Sequence, residues 1–289
     1  MYGCKLGMGL NKDIALPFTD QIRLFRRTGF EGFFAYWQHG LDVAELRRVA
    51  DEEGMYFQTL HAPGGIAARH LWYQSDETAA AMQSFRECLR AGADNGVPIM
   101  VMHSFYGFDL HEPTPLGLEN YGMIADEARA LGVKLALENL EGEEYLAALL
   151  EHFKDDPNVG LCWDSGHETC YSQRDLLAEP WHGAKLMATH LNDNLGIRDF
   201  YGKRAGDDDL HLLPFDGIVD WQDVAGRLNR WNYSDILMFE LKPRTNPLRP
   251  ESYAYTRMSP EEYVTSAYMR CCRVAAMFIR AKSAQAPLQ

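Results

Sequence analysis

Short runs of Val, Ile, Leu, Met and Phe recur along the chain, and the stretches between them place apolar residues at helical spacing. A strand that is apolar on both faces suits a parallel sheet whose outer side is covered by crossover helices. Eight such runs are predicted as strands: Lys5 to Leu10, Gly32 to Trp37, Met55 to His61, Pro98 to His103, Val133 to Asn139, Val159 to Asp164, Leu186 to Asn192 and Ile236 to Leu241. Helices are expected over Asp42 to Glu53, Asp76 to Asp94 and Leu118 to Leu131. The first opens on an acid, carries Arg47 and Arg48 further along and stops at Gly54, and the third is closed by Gly132, as helix-end chemistry favours. This alternation predicts an α/β fold, a (β/α)8 or TIM barrel in a single domain over residues 1–282, with a frayed tail from Ser283 to Gln289.

Three connections run long: Ala62 to Ser75, Asp193 to Val219 and Lys242 to Ser259. Each follows a strand and precedes a helix, so in a barrel all three lie on the face where active sites are built, as lids or as surface decoration.

Composition narrows the function. With 289 residues and a net charge of −13, the chain is a poor general nucleic-acid binder, because such proteins gain affinity by neutralising phosphates. No apolar run is long enough to span a bilayer. The start, MYGCKLGMGL, reads straight into a strand without a signal-peptide pattern. The six cysteines, Cys4, Cys88, Cys162, Cys170, Cys271 and Cys272, form no CxxC pair, which suits a reducing compartment. A cytoplasmic protein without a membrane partner is expected.

The strand ends carry the chemistry. From the third to the eighth, the predicted strands finish at or near His61, His103, Glu138, Asp164, His190 and Glu240. Ends on one face of a barrel converge on one pocket, so residues distant in sequence can meet around one ion. A carboxylate closing an apolar run such as LALENL needs a partner once buried, and a cation supplies it.

Together the segments LHAPGG, VMHSF, ALEN, CWDSGH, THLNDN, DLHLLPFDGIVDW and FELK make the chain resemble the xylose isomerase-like barrel superfamily. That superfamily holds sugar isomerases and epimerases together with endonuclease IV-type apurinic-site nucleases. In the epimerase branch, the resemblance implies a metal site at Glu138, Asp164, His190 and Glu240. Three carboxylates and an imidazole suit a divalent cation, Mn²⁺ first, with Mg²⁺, Co²⁺ or Zn²⁺ as alternatives. Glu138 and Glu240 would double as the acid/base pair, while His61, His103, His167 and His211 would line the mouth and contact substrate. The implied reaction is isomerisation or epimerisation of a sugar or sugar derivative, by removal of the proton next to a carbonyl through an enediolate. A lyase or dehydratase acting on a keto-sugar or inosose would use the same site. The nuclease branch implies three zinc ions held by those eight residues together with Asp209. Pairs or tetramers of this chain are also in keeping with the resemblance.

Other residues stand further from the pattern. Where epimerases place a substrate-binding arginine, this chain has Gly196, with Arg198, Lys203 and Arg204 nearby, so Arg198 is taken as the substrate contact. Arg69 and Arg244 could also hold an anion, but no glycine-rich phosphate cradle follows the seventh or eighth strand, which favours a non-phosphorylated substrate. The acidic run Asp207 to Asp209 would repel a phosphate backbone. Asp193, three residues beyond His190, is expected to orient a ligand. Trp37, Trp72, Tyr73, Phe105, Tyr106, Trp163 and Tyr253 are candidates for sugar stacking or for packing. Cys162 and Cys170, with no base beside them in sequence, are read as packing residues.

Overall fold

The computed structural model describes residues 4–110, 112–172, 174–198, 206, 208–243 and 249–285. Its strands are β1 (Leu6–Gly9), β2 (Gly32–Tyr36), β3 (Tyr56–His61), β4 (Ile99–His103), β5 (Lys134–Glu138), β6 (Val159–Asp164), β7 (Leu186–His190) and β8 (Leu237–Phe239). Every expected strand forms, within two residues at each end. They pair in parallel in the order β7-β6-β5-β4-β3-β2-β1-β8. A parallel bridge between Leu191 and Phe239 joins the two ends of the sheet. There the Leu191 N–H donates to the Met238 carbonyl at 2.8 Å and the Glu240 N–H to the Leu191 carbonyl at 3.1 Å. Closure pairs backbone groups that an open edge would leave exposed, and the fold is a TIM barrel.

Helices α1 (Phe18–Thr28), α2 (Val43–Glu53), α4 (Thr78–Asp94), α5 (Pro115–Ala130), α6 (Glu143–His152), α9 (Trp221–Arg230) and α10 (Pro260–Gln285) surround the sheet, while α3 (Ile66–Arg69), α7 (Ser165–His167) and α8 (Pro180–Ala184) sit in connections. The Asp42 side chain caps α2 by accepting from the Glu45 N–H, and Gly54 closes that helix at φ 64°, a left-handed conformation that suits glycine. Helix α5 starts three residues before the expected Leu118. Thr114 caps it and Pro115 occupies its first turn, where a missing N–H costs nothing. Helix α10 runs through Ser283, whose hydroxyl donates to the Ile279 carbonyl at 3.0 Å. The tail expected from Ser283 is therefore helical as far as Gln285, and 286–289 lie outside the described residues.

Two layers of apolar side chains fill the molecule. The outward faces of the strands pack against the helices through residues such as Leu135, Leu137, Leu161 and Trp163. The alternate, inward-facing positions form separate clusters, one of Ile99, Val101, Ala136, Cys162 and Ala188 and another of Phe34, Ile236 and Met238. Glycine on β1 makes room for them. A Cβ on Gly9 would sit 2.4 Å from the Phe34 ring. No helix among the described residues is long and apolar enough to cross a membrane.

Candidate metal centre and active site

In a strand, the side chain two residues further along faces the same side. Continuing each inward-facing row towards the C-terminal end of the barrel therefore replaces apolar groups with polar ones. Val101 is followed by His103, Ala136 by Glu138, Cys162 by Asp164, Ala188 by His190, Met238 by Glu240 and Phe34 by Tyr36. Five of these six end their strands, and Glu240 stands one residue past β8.

Glu138, Asp164, His190 and Glu240 are all buried, and each offers one atom such that the four lie within 4.8 Å of one another. His190 Nδ1 is 2.8 Å from Glu138 Oε1 and 2.9 Å from Glu240 Oε2. One N–H cannot serve both well, and Glu240 Oε2 is left without a hydrogen-bond donor. Three buried carboxylates converging on an imidazole make a costly arrangement by themselves, and a divalent cation would resolve it. The His190 ring is held in place by stacking on Phe34, with centroids 4.4 Å apart.

The surrounding histidines point the same way. His61, His167 and His211 each place Nδ1 against a main-chain carbonyl, of Ala62 at 2.7 Å, Asn139 at 2.9 Å and Glu240 at 3.2 Å. A carbonyl only accepts, so each Nδ1 carries the hydrogen, and each Nε2 is presented to a carboxylate as a ligand nitrogen. His61 Nε2 lies 2.9 Å from Glu138 Oε2, His167 Nε2 lies 3.5 Å from Asp209 Oδ1, and His211 Nε2 lies 2.6 Å from Asp209 Oδ2. His167, Asp209 and His211 thus form a second group with metal-ligand geometry beside the first. His103 differs. Its Nδ1 accepts from the Gly65 N–H at 3.2 Å, so Nε2 carries the hydrogen and faces Glu138 Oε2 at 3.2 Å.

Charge in the site follows these contacts. Burial disfavours the Glu138 anion, but His190, His103 and His61 outweigh it and hold the carboxyl well below its usual range. Glu240 is also held low against burial, chiefly by Lys242 and His211. Asp164 moves the other way, pushed up to about 7 by burial, with His167 opposing and Glu240 and Glu138 adding to the shift. His103 is lowered by burial, so it stays neutral at neutral pH.

Four site residues escaped the sequence reading. Lys242 Nζ lies 2.8 Å from Glu240 Oε1 and 2.7 Å from His211 Nε2. The Tyr36 hydroxyl donates to Glu240 Oε1. The Asn192 amide reaches both carboxylate oxygens of Asp164. Glu141 is buried beside the site with neither carboxylate oxygen hydrogen-bonded. Lys242 and Glu141 lie two and three residues after expected ligands in FELK and ALENLE, and that proximity was the only signal available.

A cavity of about 150 Å³ opens over the cluster, lined from β3–β5 and the following loops by His61, Gly65, His103, Tyr106 and Glu141, and from the opposite side by Tyr171, Asp209, His211, Glu240 and Lys242. A larger hollow of about 540 Å³, between Glu168, Arg174, Leu195 and Arg227, lies elsewhere and contains none of these ligand groups. Chemistry, and not size, marks the smaller one as the candidate site.

Of the other expected residues, Arg198 is exposed and does not line this cavity. Lys203, Arg204, Asp207 and Arg244 lie outside the described residues. Asp193 does not orient a ligand. It accepts from the N–H groups of Asn194, Phe215 and Val219 and from Trp221 Nε1, and so organises the loop after β7, because its side chain turns away from the interior. Arg69 pairs with Asp109 at 2.5 Å. Trp72, Phe105 and Trp163 are core residues, whereas Tyr106 lines the cavity. Cys162 and Cys170 are buried, and burial pushes both thiols up, as packing residues require.

Comparison with known proteins settles the family. The profile of the xylose isomerase-like TIM barrel family matches residues 19–260. The chain belongs to that family. Among relatives of this xylose isomerase-like barrel, uncharacterized protein y4fM of Sinorhizobium fredii is 26% identical over 297 residues, covering 85% of this chain and 89% of its own length. The structure of the IolI protein with a zinc atom bound superposes with a TM-score of 0.77 at 17% identity, covering 95% of this chain and 99% of that one. D-psicose 3-epimerase from Clostridium cellulolyticum H10, solved with D-tagatose, gives a TM-score of 0.73 at 13% identity, with the same two coverages of 95% and 99%. At these identities the structural likeness concerns the barrel itself.

Proposed function

We propose that this barrel, residues 1–282, is a divalent-metal-dependent isomerase or epimerase that moves a proton on the carbon next to the carbonyl of a sugar or sugar derivative. The observation that carries this reading is the meeting of Glu138, Asp164, His190 and Glu240 within 4.8 Å at the C-terminal end of the barrel. Three carboxylate oxygens and one imidazole nitrogen fit Mn²⁺ best among the candidates, with Mg²⁺, Co²⁺ and Zn²⁺ also compatible with the donor set. Bound there, the cation supplies Lewis acidity that lowers the cost of negative charge on the substrate's carbonyl oxygen.

The chain's own residues do the rest. Glu138 ends β5 and Glu240 stands one residue past β8, with β6 and β7 between those strands, so the two flank whatever occupies the mouth of the barrel. One carboxylate takes the proton and the other returns one to the opposite face, which is what epimerisation requires. Lys242 and Tyr36 meet Glu240 Oε1 and keep that carboxylate ionised and oriented. His103, whose Nε2 carries the hydrogen, does the same for Glu138 Oε2. His167 and His211, with Asp209 between them, would contact substrate hydroxyls. A lyase would begin with the same proton removal and differ in the group that then leaves.

Solvent deuterium incorporation into a panel of ketoses and inososes, with Mn²⁺ present, tests the reading. Label should enter the carbon next to the carbonyl, and Glu138→Gln or Glu240→Gln should abolish its entry without unfolding the protein. Exchange that survives in both variants would remove this pair from the mechanism. Loss of water from the labelled substrate would identify the lyase.

The grouping of His167, Asp209 and His211 favours one second reading, a multinuclear zinc site of the apurinic-site nuclease type. The net charge of −13 opposes it. Zinc-loaded protein that fails to nick abasic DNA excludes it.

A further inference from the structure

Beside the metal-ligand cluster, the same cavity holds two buried polar side chains that the reaction above does not use. Glu141, in the connection between β5 and α6, is 2% exposed, and neither of its carboxylate oxygens has a hydrogen-bond partner. Tyr171, in the π-helical turn Glu168–Ser172 that follows α7, is 9% exposed, and its hydroxyl is likewise unpartnered. Both line the cavity. Leu140 and Tyr106, which line the same cavity, pack with Tyr171 in a small apolar cluster separate from the main core.

An unmet buried carboxylate and hydroxyl each cost stability. A ligand that satisfies them would recover that cost on binding. We infer that Glu141 and Tyr171, with the apolar wall of Leu140 and Tyr106, form a subsite for the hydroxyl-bearing carbons of the substrate beyond its reacting carbonyl. The chemistry selects a polyol chain. A carboxylate only accepts and a phenol both donates and accepts; an alcohol hydroxyl can donate to the first and accept from the second, whereas an ammonium leaves the phenol hydrogen without an acceptor. The carbon skeleton between hydroxyls is apolar and lies against Leu140 and the Tyr106 ring, as sugars lie on such surfaces. This inference rests on the sugar-like substrate proposed above and adds which residues read its far end.

The test uses the Mn²⁺-loaded full chain, its Glu141→Leu, Glu141→Gln and Tyr171→Phe variants, and two kinds of probe. The long probes are the ketohexoses D-fructose, D-tagatose and D-psicose. The short probe is dihydroxyacetone, which has a carbonyl and neighbouring hydroxyls but no further carbons. Binding is followed by calorimetry and proton exchange by deuterium uptake. For Glu141→Leu, the preference for the best ketohexose over dihydroxyacetone should fall about tenfold or more, the scale of a lost charge-assisted hydrogen bond. Tyr171→Phe should lower the same preference less. Thermal midpoints of the free variants should match or exceed the wild type, because an unmet buried group has been removed.

An equal loss on both kinds of probe, an unchanged preference, or a clear drop in thermal midpoint in both Glu141 variants would overturn the subsite. So would a wild-type protein that binds no ketohexose. Ketohexose binding that depends on Glu141 without any deuterium uptake would sustain the subsite and overturn the proton-transfer reading instead.

Discussion

Asn192 holds Asp164 by both carboxylate oxygens, its Nδ2 lying 3.0 Å from Oδ1 and 2.9 Å from Oδ2. Burial and its acidic neighbours push the Asp164 carboxyl up to about 7, whereas Glu138 and Glu240 are held low. Donation from Asn192 favours the ionised carboxylate and fixes its direction. Asn192→Leu, which keeps the bulk and removes the donor, should therefore weaken Mn²⁺ binding by roughly 10- to 100-fold, read by metal titration of the stripped protein. Gly166→Ala should act through the same contact, since a Cβ there would lie 1.7 Å from Asn192 Oδ1. An unchanged affinity in both variants would show that Asp164 needs no such support.

Glu168 and Arg227 form a buried pair at 2.5 Å behind β6, where Glu168 also accepts from Trp163 Nε1 and the Leu176 N–H, and Arg227 lies over the Trp163 ring at 4.6 Å. Removing one partner leaves a charge stranded in the interior. Arg227→Ala should cost about 3–5 kcal/mol in chemical denaturation, and adding Glu168→Gln to it should restore part of that loss. A cost below about 1 kcal/mol would put this pair with exposed salt bridges.

Glu141 predicts a pH dependence. Burial pushes its carboxyl from an ordinary 4.5 up to about 7, with His167 opposing the shift and Asp209 adding to it. A raised carboxyl binds its proton more tightly in the folded chain than in the unfolded one. Its stabilising contribution is thus complete below pH 4.5 and is lost as the pH rises to about 7. Relative to wild type, Glu141→Gln should gain stability across that window, by up to about 3 kcal/mol, and the gain should level off above it. Urea denaturation at a series of pH values measures the difference. A gap that does not change with pH would mean that the carboxylate is already satisfied.

Much of the barrel was legible because its strands are buried on both faces. LALE in β5 and GLCWD in β6 are continuous apolar runs closed by an acid, a combination that only a shared polar interior makes affordable. Six strand-end residues follow from that pattern, and the family resemblance picks Glu138, Asp164, His190 and Glu240 out of them as the cation set. Tyr36 and Lys242 did not, since an aromatic ending a strand and a lysine following one are equally consistent with packing and with solvent. Asp193 shows the reverse failure. Three residues from His190, it looked placed to steer a ligand, yet the chain leaves the strand at Leu191 and the side chain turns to cap the long loop instead. Spacing along a strand predicts where a side chain points, and past the strand end that rule stops.

The central claim is that Glu138, Asp164, His190 and Glu240 grip one divalent ion. Equilibrium dialysis of the metal-stripped protein against Mn²⁺, with the bound metal counted per chain, tests it most directly. The wild type should retain Mn²⁺, and Asp164→Asn and His190→Ala should each bind it at least about a hundredfold more weakly while remaining folded. Wild-type affinity in both variants, or no retention by the wild type, would contradict it.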